Sequence, residues 1–262
     1  MRIPIYQVDA FTGQLFRGNP AAICPLDRWL PDETLQSVAA ENNLAETAFY
    51  IPNGNGYHLR WFTPGVEVDL CGHATLASAH VILAIRKESD ASRVSFQSKS
   101  GELIVDREGD LYALNFPARP PAECPVDPGL VEALGAKPKT ILGARDYLCV
   151  FETEEEVRAV QPSMDKLAAI DRFAAIVTAP GRDCDFVSRF FAPAKGVPED
   201  PVTGSSHCTL IPYWSKRLGK TKLHARQISK RGGELFCEDR GERVKMAGEA
   251  VKFLEGFIEV GV

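Results

Sequence analysis

Asp69-Leu70-Cys71-Gly72-His73-Ala74-Thr75, running into the apolar stretch from Leu76 to Ile85, returns later in the chain. Its second version is Asp200-Pro201-Val202-Thr203-Gly204-Ser205-Ser206-His207, running into Cys208 to Leu218. A Phe-x-Pro precedes each, Phe62-Thr63-Pro64 and Phe191-Ala192-Pro193, and Gly72 and Gly204 lie 132 positions apart. A second match follows in the same order. Ser98-Lys99-Ser100-Gly101-Glu102-Leu103 stands against Ser229-Lys230-Arg231-Gly232-Gly233-Glu234-Leu235, about 25 residues after the glycine in each copy. Two matches in register point to an internal duplication. It predicts that residues 48–117 superpose on 175–247, with Gly72 on Gly204, Ser98 on Ser229, and Asp69 and Asp200 flanking equivalent turns.

Each duplicated turn opens an apolar, helix-length run. The first turn of a helix leaves backbone N–H groups without partners, and the helix dipole adds roughly half a positive charge there. A glycine at that point lets a ligand approach the backbone closely. Two such helix starts facing one site would cradle a carboxylate, presenting Cys71, His73 and Thr75 from one copy and Thr203, Ser205 and Ser206 from the other. Neither turn has the glycine and lysine pattern of a phosphate-binding loop. A glycine turn standing alone would be read as no more than a tight entry into a buried helix; its duplication argues for a shared ligand.

The remaining sequence bounds this reading. A chain of 262 residues accommodates two domains of about 130 residues each. With 45% apolar and 25% charged residues it has the composition of a soluble globular protein. A net charge of −5 gives no reason to expect nucleic acid as a partner. No apolar run of about 18 residues is present to span a membrane, and the first residues carry no signal-peptide pattern. Seven scattered cysteines without a C-x-x-C pair argue against a disulfide framework or a zinc knuckle. A reduced, cytoplasmic setting is expected, with no metal.

Alternating and β-rich runs predict strands at 3–11, 21–25, 46–51, 57–63, 93–98, 103–107 and 111–116, with a helix over 31–43. Pro117-Ala118-Arg119-Pro120-Pro121 reads as a linker, dividing the chain into an N-terminal half, 1–118, and a C-terminal half, 119–262. In the second half Thr153-x-x-Glu156 reads as a capping box. Strands are expected at 173–179, 185–192, 222–228, 234–237, 243–246 and 253–260, and a helix over 205–218 ended by Gly219.

Asn43-Leu44-Ala45-Glu46-Thr47-Ala48-Phe49, the Cys71-Gly72-His73 segment and Glu199-Asp200-Pro201-Val202-Thr203-Gly204-Ser205 resemble the signature segments of the PhzF-like isomerase family, named for phenazine biosynthesis. Val8-Asp9-Ala10-Phe11-Thr12 with Gly18-Asn19-Pro20-Ala21-Ala22 is similar too, so the resemblance runs along essentially the whole chain. It implies an α/β fold of the diaminopimelate-epimerase type: two pseudo-symmetric domains, each a mixed sheet curled around a central helix, with the active site in the interdomain cleft. It further implies cofactor-independent proton transfer on a small carboxylate-bearing substrate, and a homodimer. Carried over, Glu46 is the general acid and base, His73 an active-site histidine, and Asp200 and Ser205 the polar pair of the second turn. Gly72 and Gly204 receive the substrate carboxylate, with Cys71, Thr203 and Asn19 beside them.

One departure stands out. Two-base epimerases related to this family carry a catalytic cysteine in each copy, whereas this chain has Cys71 in one and Thr203 in the other. A hydroxyl is too weakly acidic to replace a thiolate base, which leaves an epimerase using Cys71 with Glu46 as the alternative enzyme. A helix start would lower the Cys71 pKa, but a small buried cysteine is the commoner outcome. A small-molecule-binding protein that lost its chemistry is the alternative outside enzymes, and a retained general base argues against it. His80, seven residues after His73, is expected to pack in the core. Phe11, Asn19, Tyr50 and Tyr213 are expected among the pocket walls.

Overall fold

The computed structural model describes residues 1–89 and 91–261. The chain forms two compact units: Met1–Asn115 with the stretch from Ala247 onward, and Phe116–Met246.

The first unit runs β1 (Arg2–Ala10), β2 (Asn19–Pro25), α1 (Asp32–Asn42), β3 (Glu46–Asn53), β4 (Gly56–Phe62), the two-residue β5 (Glu67–Val68) and α2 (Gly72–His80). A π-helical turn, Val81–Ile85, extends α2, followed by β6 (Arg93–Ser98), β7 (Gly101–Glu108) and β8 (Leu111–Pro117). The second unit runs α3 (Leu130–Leu134), β9 (Thr140–Gly143), β10 (Tyr147–Val150), α4 (Glu154–Ala159), α5 (Met164–Leu167), β11 (Ala175–Pro180) and β12 (Phe186–Phe191). It continues with α6 (Gly204–Leu218), β13 (Lys222–Gln227), β14 (Gly233–Asp239) and β15 (Arg243–Gly248), after which β16 (Ala250–Glu259) ends the chain.

Strand pairing repeats step for step. In the first unit β1–β2 is antiparallel, β2–β3 parallel, β3–β4 antiparallel, β4–β6 parallel and β6–β7 antiparallel. In the second, β9–β10, β10–β11, β11–β12, β12–β13 and β13–β14 follow the same sequence of directions. The duplication therefore covers both units, well beyond the two matching blocks.

Each unit buries its long helix. In α2 every residue from His73 to Ala79 is buried, and the helix packs on β1, β2, β3, β7 and β16. A helix covered all round needs small residues where sheet backbone comes near, and Ala74, Ala77, Ser78 and Ala79 supply them. The Thr75 and Ser78 hydroxyls donate back to the carbonyls of Cys71 and Ala74, at 2.5 and 2.8 Å, so no polar group is stranded. In α6 the interior Pro212 lacks an N–H for the carbonyl of Cys208. The Arg119 N–H takes that carbonyl at 2.8 Å, pinning the start of the second unit to the helix. Gly219 ends α6 in the left-handed conformation (φ 65°), returning its N–H to Ser215. Thr153 and Glu156 form the expected capping box of α4.

Three expectations need correction. β16 pairs with β1 from Arg2↔Glu259 to Ala10↔Ala250, so the C-terminal strand belongs with the first unit and the even division at 118/119 does not hold. β9 and β10 were not expected; at four residues each, with β10 buried throughout, they carry no alternation to read. Asp69 and Asp200 are not equivalent: Asp69 is exposed and stands three residues before its glycine, Asp200 four.

Candidate active site

Parallel pairing of β2 with β3 sets Ala21 beside Glu46, so both strands begin at the same end of the sheet. Asn19 opens β2, Glu46 opens β3, and the start of α2 meets them there. His73, the second residue of α2, is the hub. Its Nε2 lies 3.0 Å from Glu46 Oε2. Its Nδ1 lies 3.2 Å from Asn19 Nδ2 and 3.5 Å from Cys71 Sγ. With the Asn19 amide donating, Nδ1 accepts, and the ring proton sits on Nε2 facing the carboxylate.

Burial opposes a charge on His73, but Cys71 and the Glu46 carboxylate together outweigh it and hold the ring's pKa well above its ordinary value. Nε2 thus carries a proton against Glu46 whether the ring is neutral or charged. Burial, reinforced by Glu46, pushes the Cys71 thiol up to about 11 despite the opposing His73 and the helix start. Cys71 is therefore a buried thiol at neutral pH, and burial outweighs the helix start. Cys71 is the N-cap of α2 and gives it no side-chain cap, so the first-turn N–H groups stay open to a ligand.

In the second unit Thr203 is the N-cap of α6 and belongs to a residue type that caps well. It does not cap here. Its hydroxyl donates to Asp200 Oδ2 at 2.5 Å. Its N–H donates to Gln227 Oε1 at 2.9 Å, and Gln227 Nε2 donates to the Asp200 carbonyl at 2.7 Å and to Thr203 Oγ1 at 3.1 Å. Asp200 and the fully buried Gln227 together turn the natural cap aside and leave the first turn of α6 open as well. Ser205, the second residue of α6 and the positional counterpart of His73, accepts from Arg145 Nη2 at 3.1 Å. The same guanidinium grips the buried Asp146 side-on, Nε to Oδ1 at 3.0 Å and Nη2 to Oδ2 at 2.9 Å.

The two matching sequence blocks in each copy touch one another. The Ser100 hydroxyl donates to the carbonyl of Asp69 at 2.7 Å, and the Ser229 hydroxyl to that of Pro201 at 2.8 Å. Both carbonyls stand three residues before the glycine, so a hairpin serine anchors each turn. The serine equivalent to Ser229 is thus Ser100 by function, where the sequence offset points to Ser98.

The expected site residues fall into these two groups: Asn19, Glu46, Cys71, Gly72 and His73 in the first unit, Asp200, Thr203, Gly204 and Ser205 in the second. Sequence reading missed Arg145, Asp146 and Gln227, which lie far from the glycine turns in sequence; the buried Asp146 pair and Gln227 become visible only through the strands that carry them. Tyr50 is not among the Glu46 group. With Arg28, Tyr57, Arg86 and Arg93 it lines a separate cavity of about 810 Å³ in the first unit, where its hydroxyl meets Glu88 at 3.3 Å. His80 is partly buried, with Nδ1 3.0 Å from the Tyr112 hydroxyl, and burial lowers its pKa to about 4. His207 is fully buried, with Nδ1 2.8 Å from the Thr203 carbonyl, so it supports the turn. One grouping, overlooked in the sequence, has donor atoms within 4.8 Å of one another as a metal would need: Glu46, Cys71 and His73. Cys71 Sγ lies 3.5 Å from His73 Nδ1 and 4.0 Å from Nε2, and Nε2 also meets Glu46, so both side chains reach the same ring nitrogen.

Residues 8–256 match the family described as phenazine biosynthesis-like protein. An uncharacterised isomerase of Pseudomonas aeruginosa is 51% identical over 261 residues, covering 99% of this chain and all of the relative. The crystal structure of a PhzF-family phenazine biosynthesis protein from Enterococcus faecalis is 45% identical with a TM-score of 0.96, covering 99% of this chain and all of that one. A hydroxyproline epimerase from Agrobacterium vitis shares the fold at a TM-score of 0.61 and 9% identity, with 98% of this chain and 92% of that one covered.

Proposed function

The chain belongs to the phenazine biosynthesis-like (PhzC/PhzF) family, whose named relatives include isomerases, and from that premise we propose that it is a cofactor-independent isomerase shifting a proton on a small carboxylate-bearing molecule. Glu46 is the general base and then the general acid. It removes a proton from a carbon conjugated with the substrate's carboxylate and, after its carboxyl has exchanged with solvent, delivers a proton to another carbon. The electron pair left on the substrate spreads toward the carboxylate, which an open helix start, such as that of α2 or of α6, stabilises with backbone N–H groups. His73 sets its Nε2 3.0 Å from the Glu46 carboxylate, an ion-pair contact that holds the base in place. One carrier working on one face favours a positional shift over inversion at a single carbon.

The observation that carries this reading is the Glu46 carboxylate 3.0 Å from a protonated ring nitrogen at an uncapped helix start. An epimerase using Cys71 as second base is supported less well, because the thiol is pushed up to about 11. Glu46→Gln keeps size and polarity but removes the base. In deuterated water, with cyclic and amino-acid carboxylates as trial substrates, solvent deuterium should enter the product for the native chain and cease for Glu46→Gln, a loss of about 10⁴-fold or more. Cys71→Ala should cost far less. A substrate turned over equally well by Glu46→Gln would overturn the assignment, and equal losses from both variants would favour the epimerase.

A further inference from the structure

The mechanism above leaves unused a group of arginines in the second unit. Arg145 lies in the loop between β9 and β10, where Asp146 fixes Nε and Nη2. Nη1 makes no hydrogen bond among the described residues, and the side chain keeps 32% of its exposure. The flat face of the guanidinium lies 4.3 Å from the ring centre of Phe173, so the group is held on one edge and one face.

The charges do not cancel. Arg145, Arg119 and Arg172 all act on the single buried carboxylate of Asp146, whose pKa is nevertheless raised because burial dominates. Arg119, tied to α6 through the carbonyl that Pro212 leaves free, has its Nη1 buried with no hydrogen-bond partner among the described residues. A buried guanidinium nitrogen left without an acceptor is costly unless something anionic completes it. Next to this surplus of positive charge stands the open first turn of α6, linked to Arg145 through Ser205.

We propose that Arg145 is the specificity-determining residue of the second turn: it reads the ligand's carboxylate as a charge, together with the Ser205 hydroxyl and the first N–H groups of α6. Asp146 is a positioning residue that keeps the fork turned toward Ser205. The inference rests on the reading of α6 as a carboxylate-binding helix start and names what makes it selective: an anionic acid is taken, its neutral amide or ester refused. Backbone N–H groups alone would accept a neutral carbonyl oxygen as well as a carboxylate, whereas a guanidinium favours the ion.

The test is titration of the full chain with benzoate and, separately, with benzamide, following the backbone amides of Gly204, Ser205 and Ser206 by NMR and the affinity by calorimetry. Benzoate should shift these amides and benzamide should not. Arg145→Gln should weaken benzoate about tenfold or more. Because that change strands Asp146, the double variant Arg145→Gln/Asp146→Asn is measured beside it, with folding verified by thermal melting, and should show the same loss. Benzamide binding as tightly as benzoate, or a folded double variant with native benzoate affinity, would overturn the proposal. So would benzoate shifts confined to Gly72 and His73. The same titration on Glu46→Gln separates the two readings: an error about Glu46 shows as surviving deuterium exchange with benzoate binding intact, an error about Arg145 as unaltered binding whatever the exchange does.

Discussion

The starts of α2 and α6 are the same device furnished in two ways. Both follow a Phe-x-Pro, both open on glycine, both lack a side-chain cap, and both are held by a hairpin serine reaching the carbonyl three residues before the glycine. The side chains around them have diverged. Phe62 pairs with Thr47 in the first unit and Phe191 with Ala175 in the second, so the position of Glu46 is held there by the buried Ala174. His73 is replaced by Ser205 and Cys71 by Thr203, while the polar group reaching the helix changes from the Asn19 amide to the Arg145 guanidinium. The first start has a base and a proton donor; the second has charge and hydrogen bonds. Backbone geometry persists through a duplication because many contacts fix it, whereas a side chain at a helix start can be exchanged with little structural consequence, so the proposed roles divide between the copies, acid–base work at the first and anion recognition at the second.

The largest test of this division exchanges the burden between positions 73 and 205. His73→Ala removes the ring that stands 3.0 Å from Glu46 Oε2, and deuterium exchange into product should fall about 10²–10⁴-fold, mostly in kcat. Ser205→Ala removes one hydroxyl from the anion-binding start and should cost about tenfold, mostly in KM. Equal losses from the two, with the same division between kcat and KM, would break the comparison.

Much of this frame was legible in the sequence because the informative residues are local to an element. Gly72 and Gly204 announce helix starts, Gly219 a helix end, and the alternating runs at 93–98 and 222–228 announce strands. The contacts that define the site were less legible, since they join residues distant in sequence through strand order. Nothing near Gly204 indicates that a loop some sixty residues earlier delivers Arg145, or that Gln227 at the end of β13 replaces a helix cap. The pKa of Cys71 illustrates the same limit. Position at a helix start and a small buried cysteine were both readable from the sequence, and burial beside Glu46, visible only in three dimensions, decides for the second.

Gln227 supplies the next test, on stability. It is fully buried and makes three hydrogen bonds to the Asp200–Thr203 turn. The ladder pairs Arg226 with Glu234 and Gln97 with Glu102, so the corresponding position in the first unit is Ser98, whose hydroxyl bonds the nearby Gly101 carbonyl instead. Gln227→Ala should therefore destabilise the chain by about 2–4 kcal/mol, counting roughly 1 kcal/mol for each hydrogen bond and the burial of the Thr203 N–H without a partner. Ser98→Ala, measured by urea unfolding under the same conditions, should cost well under half of that. Comparable losses would show that the first turn depends on this ladder position as much as the second does.

The smallest expected effect concerns the feature the two copies share. Ser100→Ala and Ser229→Ala each remove one hydroxyl hydrogen bond to the carbonyl before a glycine turn, at 2.7 and 2.8 Å in the native chain. Ser100 sits in an exposed hairpin where water can take over the Asp69 carbonyl, so its loss should cost about 0.5 kcal/mol. Ser229 is partly buried and also accepts the Gly232 N–H at 3.1 Å, so its removal should cost about 1–1.5 kcal/mol. If both serines serve to hold the turns, each variant should also speed amide hydrogen exchange at the first hydrogen-bonded turn of its own helix, Thr75 for Ser100→Ala and Cys208 for Ser229→Ala, and leave the other start unchanged. Faster exchange at neither start would mean that the matching blocks are conserved remnants of the duplication with no mechanical role, and the likeness between the two turns would then reside in the glycines alone.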